Sequence, residues 1–154
     1  MKKISLFLAL SVSLSSIAGV KEDKAKAEGE AKLKTDVEAV KKACGNAKLA
    51  VAVDWAQWDN ADYIKAIGKE KAEILSNTYG LISGTLTSLS ELCAADKDYK
   101  GAVAKIEEVK VSAKKDPKDT TANFSKKDKA FVAELNGDGY TGASNPEKIK
   151  KAFD

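Results

Sequence analysis

The residues best suited to chemistry form a glycine-rich polar segment near the end of the chain, Glu134–Ser144. Aligned with a 12-residue calcium-binding loop, Glu134, Asn136 and Asp138 take the first, third and fifth positions, and Tyr140 comes two residues later. The twelfth position holds Asn145 instead of the bidentate Glu of that motif. The Asn-Gly and Asp-Gly dipeptides of the segment favour a plain glycine-rich turn, and a calcium-stabilised module is the alternative interpretation.

A second candidate site lies between the first long strand and the following helix. Asp54 and Asp62 flank Trp58, and paired carboxylates beside an aromatic ring are typical of enzymes that act on sugars. The pattern indicates a ligand-binding site or a carboxylate-based hydrolase around Asp54–Asp62. In the structural alternative, Asp59 or Asn60 caps a short helix that ends at Gly68, and Trp55 packs in the core. Trp58 marks a binding spot if its ring is exposed.

The missing residue types exclude most other chemistry. The chain has no His and no Arg, which excludes a Ser-His-Asp triad, imidazole ligands and a guanidinium clamp for phosphate. Ser112 and Lys115 have the spacing of a serine nucleophile and its lysine base, but at a strand end these positions point to opposite faces. We therefore expect a non-enzymatic domain without a cofactor, calcium excepted.

The N-terminus has the pattern of a secretory signal peptide. Two lysines precede an apolar stretch from Ile4 to Ile17, and small residues at Ser16 and Ala18 predict cleavage before Gly19. The stretch is shorter than the roughly 20 residues of a spanning helix. We expect residues 1–18 to be removed, no transmembrane anchor to remain, and the protein to be periplasmic or secreted by a bacterium.

The charges are nearly balanced. The chain has 26 basic and 23 acidic residues, and removal of Lys2 and Lys3 with the signal peptide brings the two signs closer still. Lysines interleaved with acids do not favour binding to nucleic acid. We expect the partner to be an unknown protein or small ligand of the cell envelope.

Two cysteines, Cys44 and Cys93, remain in the exported chain. An even, minimal count in an exported protein predicts one structural disulfide. A redox-active or metal-binding pair is the alternative, but it needs closer spacing or further ligands.

Periodicity predicts several helices. Residues 21–44 carry four Glu-to-Lys pairs at i,i+4, with Gly29 interrupting the run, so residues 19–30 are expected to form a charged, partly frayed segment. An apolar stripe from Leu75 to Cys93 predicts a second long helix, which Gly80 and Gly84 either split or bring close to a neighbour. A short helix is expected over residues 60–67, and a last helix begins at Pro146.

Alternating apolar residues predict the strands. Residues 48–55 are apolar on both faces, which indicates a central strand. Three further alternating segments between residues 109 and 135 predict an antiparallel meander. We expect one α+β domain over residues 31–154, with about four strands, one central plus the C-terminal meander, packed against several helices on one face.

The order of these features resembles that of small, uncharacterised exported bacterial α+β domains with one disulfide. The resemblance depends on Ala43-Cys44-Gly45, on Asp54-Trp55 after the strand, and on Glu91-Leu92-Cys93. It implies the fold and the disulfide and no activity. We therefore predict an exported non-enzymatic binding or structural domain, with the hydrolase and the calcium module as alternatives.

Overall fold

The computed structural model describes residues 15–138 and 143–154. Within these residues the chain forms five helices and one four-stranded sheet, which confirms the α+β prediction. In chain order the elements are α1 (Ser15–Cys44), β1 (Ala50–Val53), α2 (Ala61–Ile67), α3 (Lys71–Ala95), α4 (Lys97–Val103), β2 (Glu108–Ala113), β3 (Asn123–Lys127), β4 (Ala130–Leu135) and α5 (Pro146–Lys150). Most of the predicted signal peptide lies outside the described residues.

The sheet is mixed, with the strand order β1-β2-β4-β3. β2 runs parallel to both β1 and β4, and β3 pairs antiparallel with β4. The predicted antiparallel meander is therefore confirmed for β3 and β4 and wrong for β2, because β4 inserts between β2 and β3. Burial explains this order, since Phe131, Ala133 and Leu135 of β4 are fully buried, as in a central strand. β3 carries Lys126 and Lys127 on its surface, which suits an edge strand.

β1 lies at the other edge of the sheet, so the prediction of a central strand over residues 48–55 is wrong as well. The apolar residues of this segment do not need a neighbour on both sides. Val51 and Val53 point towards the helices and are partly buried, whereas Ala50 and Ala52 are exposed on the opposite face. Ala50 and Ala52 make this face of the strand apolar in sequence, although the face is exposed in the structure.

The helices cover one face of the sheet. Val51 of β1, Val109 of β2 and Phe131 of β4 lie in one register row, and all three belong to the core or pack against it. The opposite face carries residues such as Lys110 and Glu134, which are exposed. This alternation confirms the predicted packing of several helices against a single face.

The long helices α1 and α3 pack against each other at a glycine. Gly29 of α1 is buried, and a Cβ at this position would overlap ring atoms of Tyr79 on α3. Residues 19–30 are therefore part of a continuous, docked helix and not a frayed segment. Two ion pairs hold this end of α1, from Lys21 to Glu70 at 3.3 Å and from Lys71 to Glu22 at 3.6 Å.

Helix α3 runs without a break past both of its glycines. Gly80 has open space where a Cβ would lie, whereas a Cβ at Gly84 would overlap the hydroxyl of Ser144 in the loop before α5. Of the two outcomes expected from these glycines, the split does not occur, and the close approach at Gly84 is to a loop and not to another helix. This contact packs the loop before α5 against α3.

The disulfide between Cys44 and Cys93 is present, with the two Cα atoms 5.1 Å apart. It joins the last residue of α1 to the last turns of α3, and both sulfur-bearing residues are buried. For a sequence separation of 49 residues, chain entropy gives a stabilisation of about 4 kcal/mol. Such a bond indicates an oxidising, non-cytoplasmic compartment.

Candidate functional site

The carboxyl ends of the three parallel strands β1, β2 and β4 lie side by side, and two of the predicted sites lie there. We call this row of strand ends the carboxyl edge, as distinct from the outer edges that β1 and β3 form. Asp54 directly follows β1, Lys114 follows β2 and Asn136 follows β4. Ligand sites of parallel sheets are found at this carboxyl edge. The fold therefore brings the hydrolase candidate and the calcium candidate to the same end of the sheet.

Trp58 is fully buried, so the condition under which it would mark a binding spot, an exposed ring, is not met. Its ring centroid lies 5.5 Å from that of Trp55, which in turn lies 4.9 Å from the ring of Tyr79. A Cβ on Gly137 would lie 3.1 Å from Nε1 of Trp58, and this nitrogen has no hydrogen-bond partner among the described residues. Trp58 thus fills the core beneath the carboxyl edge, where its ring is not available for stacking on a sugar.

The carboxylates of the predicted hydrolase site have separate partners. Asp54 is exposed, and its Oδ1 accepts a hydrogen bond of 3.0 Å from the backbone N–H of Ala56. Asp59 forms an ion pair of 2.8 Å with Lys71, and the hydrogen bond in this pair raises the pKa of Lys71. Asp62 is exposed in the first turn of α2, where its negative charge interacts favourably with the helix dipole. Each of the three carboxylates therefore has a structural role.

The predicted calcium ligands also have partners within the protein. Asn136 is 2% exposed, and its Nδ2 donates to the backbone carbonyls of Pro117 at 2.8 Å and Asp119 at 2.9 Å. Its Oδ1 accepts a hydrogen bond of 2.7 Å from the backbone N–H of Asp138. The Asp138 carboxylate lies 3.2 Å from Nζ of Lys69. Asn136 is therefore a clamp between two loops.

The other two calcium candidates do not complete a ligand set. Glu134 is exposed between two buried residues of β4, so it points to the open face of the sheet. Tyr140 lies outside the described residues. Within residues 15–138 and 143–154, no group of three or more His, Cys, Asp or Glu side chains is placed to hold a metal ion. The calcium module stays a prediction.

An ion pair formed by a buried lysine at the same edge was not expected from the sequence. Lys114 is 6% exposed, and its Nζ lies 2.8 Å from Oδ2 of Asp119 and 3.5 Å from Oγ1 of Thr121. The hydrogen bond from Lys114 is the main reason that the pKa of Asp119 lies well below its usual range. Burial, with smaller contributions from Asp116 and Asp119, raises the pKa of Tyr63 to about 12.

This ion pair fastens the loop between β2 and β3 to the sheet. The alternation of β2 places Lys114 on the solvent side, but the strand ends at Ala113 and the alternation ends with it. The lysine of the Ser112–Lys115 pattern is exposed, so that pattern does not form a nucleophile with a buried base. The arrangement around Lys114 is structural.

The outer edge of β1 presents unpaired backbone groups. The backbone N–H of Ala50 donates to Glu107 at 3.0 Å, and that of Asp54 donates to Val111 at 2.8 Å. Because backbone groups alternate in direction along a strand, the N–H and C=O groups of Val51 and Val53 point away from β2. No strand pairs with this side of β1 in the sheet that the described residues form.

A groove of about 450 Å³ runs beside this edge, between β1 and α1. Its apolar floor and its charged rim come from the two elements together. The floor consists of Leu33, Val37, Leu49 and Val51, and the rim consists of Glu30, Lys34, Glu38 and Lys41. The sequence signal for this site is the absence of Lys, Glu, Pro or Gly from Leu49–Val53, since edge strands normally carry such residues for protection.

Comparison with known proteins gives no indication of function, so the fold and this groove are the basis for a functional proposal. The chain matches no protein-family model, and neither the curated proteins nor the solved structures gave a significant match. Among the helices of the described ranges, none combines the length and apolarity that crossing a bilayer requires. The class defined by the geometry is a small α+β domain with one disulfide and an open sheet edge.

Proposed function

We propose that the protein is an exported, non-enzymatic binding domain that accepts an extended polypeptide strand along β1. The observation that carries the proposal is the unprotected outer edge of β1 above an apolar groove. Strand addition to such an edge is a common mode of peptide recognition, in which main-chain hydrogen bonds give affinity and alternate side chains give specificity.

The geometry of β1 defines the strand that fits. An incoming strand would pair its backbone with the free N–H and C=O groups of Val51 and Val53. Side chains opposite these two residues lie on the same face as their own, so they enter the groove between β1 and α1. Apolar side chains at alternate positions would therefore cover the partly buried Leu33 and Val37.

Charges at the two ends of β1 add selectivity. Lys48 comes two residues before β1 and Asp54 directly follows it, and both are exposed. The best partner has an acidic residue opposite Lys48 and a basic residue opposite Asp54, with small side chains opposite Ala50 and Ala52. We take the partner strand to be antiparallel, because antiparallel pairing is the more stable of the two orientations.

Export supports this proposal, since an exported interaction domain meets its partners outside the cytoplasm. The disulfide indicates an oxidising compartment. The N-terminal lysines, the apolar stretch and the small residues before Gly19 support a cleaved signal peptide and a periplasmic or secreted location. Detection of a new N-terminus at Gly19 in the exported protein tests this part separately.

A synthetic heptapeptide tests strand addition. The probe is Lys-Val-Thr-Val-Thr-Val-Asp, which places Lys opposite Asp54 and Asp opposite Lys48 in the antiparallel register. We expect saturable binding and slower amide hydrogen exchange at Val51 and Val53, while the amides of Ala52 and Asp54, which face β2, change little.

Two controls make the test specific. A peptide with Pro at its central position lacks a main-chain donor and is expected to bind at least about tenfold more weakly. In the protein, Val51→Pro removes the outward N–H, and Val51→Thr keeps it. Unchanged exchange at Val51 and Val53 in saturating peptide would refute strand addition at β1.

A further inference from the structure

We propose that the strand which occupies the β1 edge belongs to a second copy of this chain, an inference that rests on the proposed function. Two β1 strands would pair antiparallel about a two-fold axis at Val51, and the two sheets would join into one of eight strands. The contact is isologous, because each copy offers the same edge and the same groove.

The register follows from the direction of the backbone groups. With Val51 opposite its own counterpart, the two Val51 residues exchange both hydrogen bonds, since their N–H and C=O groups are the ones that point outwards. In the same register Val53 lies opposite Leu49, and Ala50 lies opposite Ala52. The valine side chains of each copy then reach the groove of the other.

The charges at the ends of the strand agree with this register. Lys48 of one copy lies opposite Asp54 of the other, and the two-fold axis produces this pair twice. The chain therefore carries in its own segment, Lys48–Asp54, the pattern that its edge selects: a basic end, alternating apolar residues and an acidic end. Both charged residues are exposed and free to approach a second copy.

The groove rim carries a second self-complementary pattern. Along α1 the rim residues alternate in sign: Glu30, Lys34, Glu38 and Lys41. A two-fold axis normal to the sheet reverses every direction in its plane, so the two α1 helices run antiparallel. The reversed order of the second copy then places acidic residues towards basic ones. A strand from an unrelated protein has no such requirement to match the rim.

Sedimentation velocity over a concentration series tests the proposal on the protein produced from the full chain in an exporting bacterium. We expect a reversible dimer for the wild type. Lys48→Glu places a carboxylate opposite Asp54 at two symmetric positions and is expected to weaken dimerisation about 10- to 30-fold. Asp54→Lys is expected to weaken dimerisation to the same extent, because it places a lysine opposite Lys48 at both symmetric positions.

The double variant Lys48→Glu/Asp54→Lys restores opposite charges and is expected to recover dimerisation to within about threefold of the wild type. Lys65→Glu, an equal charge change on exposed α2, is the matched control and is expected to leave the dimer unchanged. Circular dichroism melts show that each variant is folded. Val51→Pro, which keeps the β1–β2 ladder, should abolish the dimer.

A wild-type chain that stays monomeric at about 1 mM would overturn this inference. So would a dimer that both charge variants leave unaffected, since it would use another surface. If the heptapeptide still protects Val51 and Val53 in a monomeric protein, the proposed function stands and only the identity of the partner is wrong. If neither the peptide nor a second copy protects them, both proposals fail.

Discussion

Replacing Gly29 with Ala is expected to destabilise the protein, although Ala is the better helix former. In an open helical position the change gains about 1 kcal/mol. At Gly29 the new Cβ would overlap ring carbons of Tyr79, which is 7% exposed and packs against Trp55. Overpacking a rigid neighbour costs about 1–3 kcal/mol. We expect a net loss of up to about 2 kcal/mol in the free energy of unfolding.

Urea unfolding of the oxidised protein measures this loss, and Gly80→Ala is the matched control. Gly80 lies in α3 with nothing near its absent Cβ, so Ala there should raise the free energy of unfolding by about 0.5–1 kcal/mol. In a Tyr79→Ala background, Gly29→Ala should become stabilising by a similar amount. Equal stabilisation by Gly29→Ala and Gly80→Ala in the wild type would refute the close crossing of α1 and α3.

Two further predictions concern the carboxyl edge of the sheet. Asn136→Ala should lower the free energy of unfolding by about 2–4 kcal/mol, because it removes three hydrogen bonds to backbone groups. The loss should be the same with calcium and with chelator, which thermal melts in both buffers measure. A loss that depends on calcium would favour a metal-binding role for this side chain. Burial raises the pKa of Tyr63 to about 12, so stability is unaffected below pH 10 and falls as the pH rises from about 10 to 12. Tyr63→Phe should reduce that alkaline loss by about 1–2 kcal/mol after solvent screening, and identical pH curves would contradict the assignment.

Local patterns in the sequence were sufficient for the helices and the disulfide. Asn60 and Gly68 bound α2 as expected, with Asn60 accepting a hydrogen bond from the backbone N–H of Tyr63 and Gly68 adopting a φ of 79°. Cys44 and Cys93 lie on the buried faces that the stripes of α1 and α3 indicate. Caps and stripes depend on residues close in sequence, and two cysteines allow only one intramolecular pairing, so composition and period can predict these features.

Strand partners could not be predicted in the same way. A period of two shows that a segment is a strand and does not show which strand lies beside it. The order β1-β2-β4-β3 depends on the connection between β2 and β3, which Lys114, Asp119 and Asn136 hold in place through contacts between distant residues. The buried position of Trp58 has the same origin, because Gly137, which follows β4, lies against its indole from a distant part of the sequence.

The candidate site was missed for a related reason. The residues that suggested chemistry are carboxylates with structural contacts: Asp54 accepts a hydrogen bond from the backbone of Ala56, Asp59 forms an ion pair, and Asp62 lies in the first turn of α2. The open edge of β1 is marked by residues that are absent, namely the charges and prolines that protect other edge strands. An apolar strand without them was interpreted as central, whereas its sequence equally fits an edge that pairs with another chain.

The disulfide also affects how the sheet is assembled during folding. β1 and β2 pair with Ala50 beside Glu108, 58 positions apart in the chain. Once Cys44 is bonded to Cys93, the shortest covalent path between these strands falls to about twenty residues, which lowers the entropy cost of closing the sheet by about 1 kcal/mol. A chain that is synthesised N-terminus first exposes β1 before β2 is available. Early oxidation therefore shortens the time in which an unprotected strand is open to aggregation.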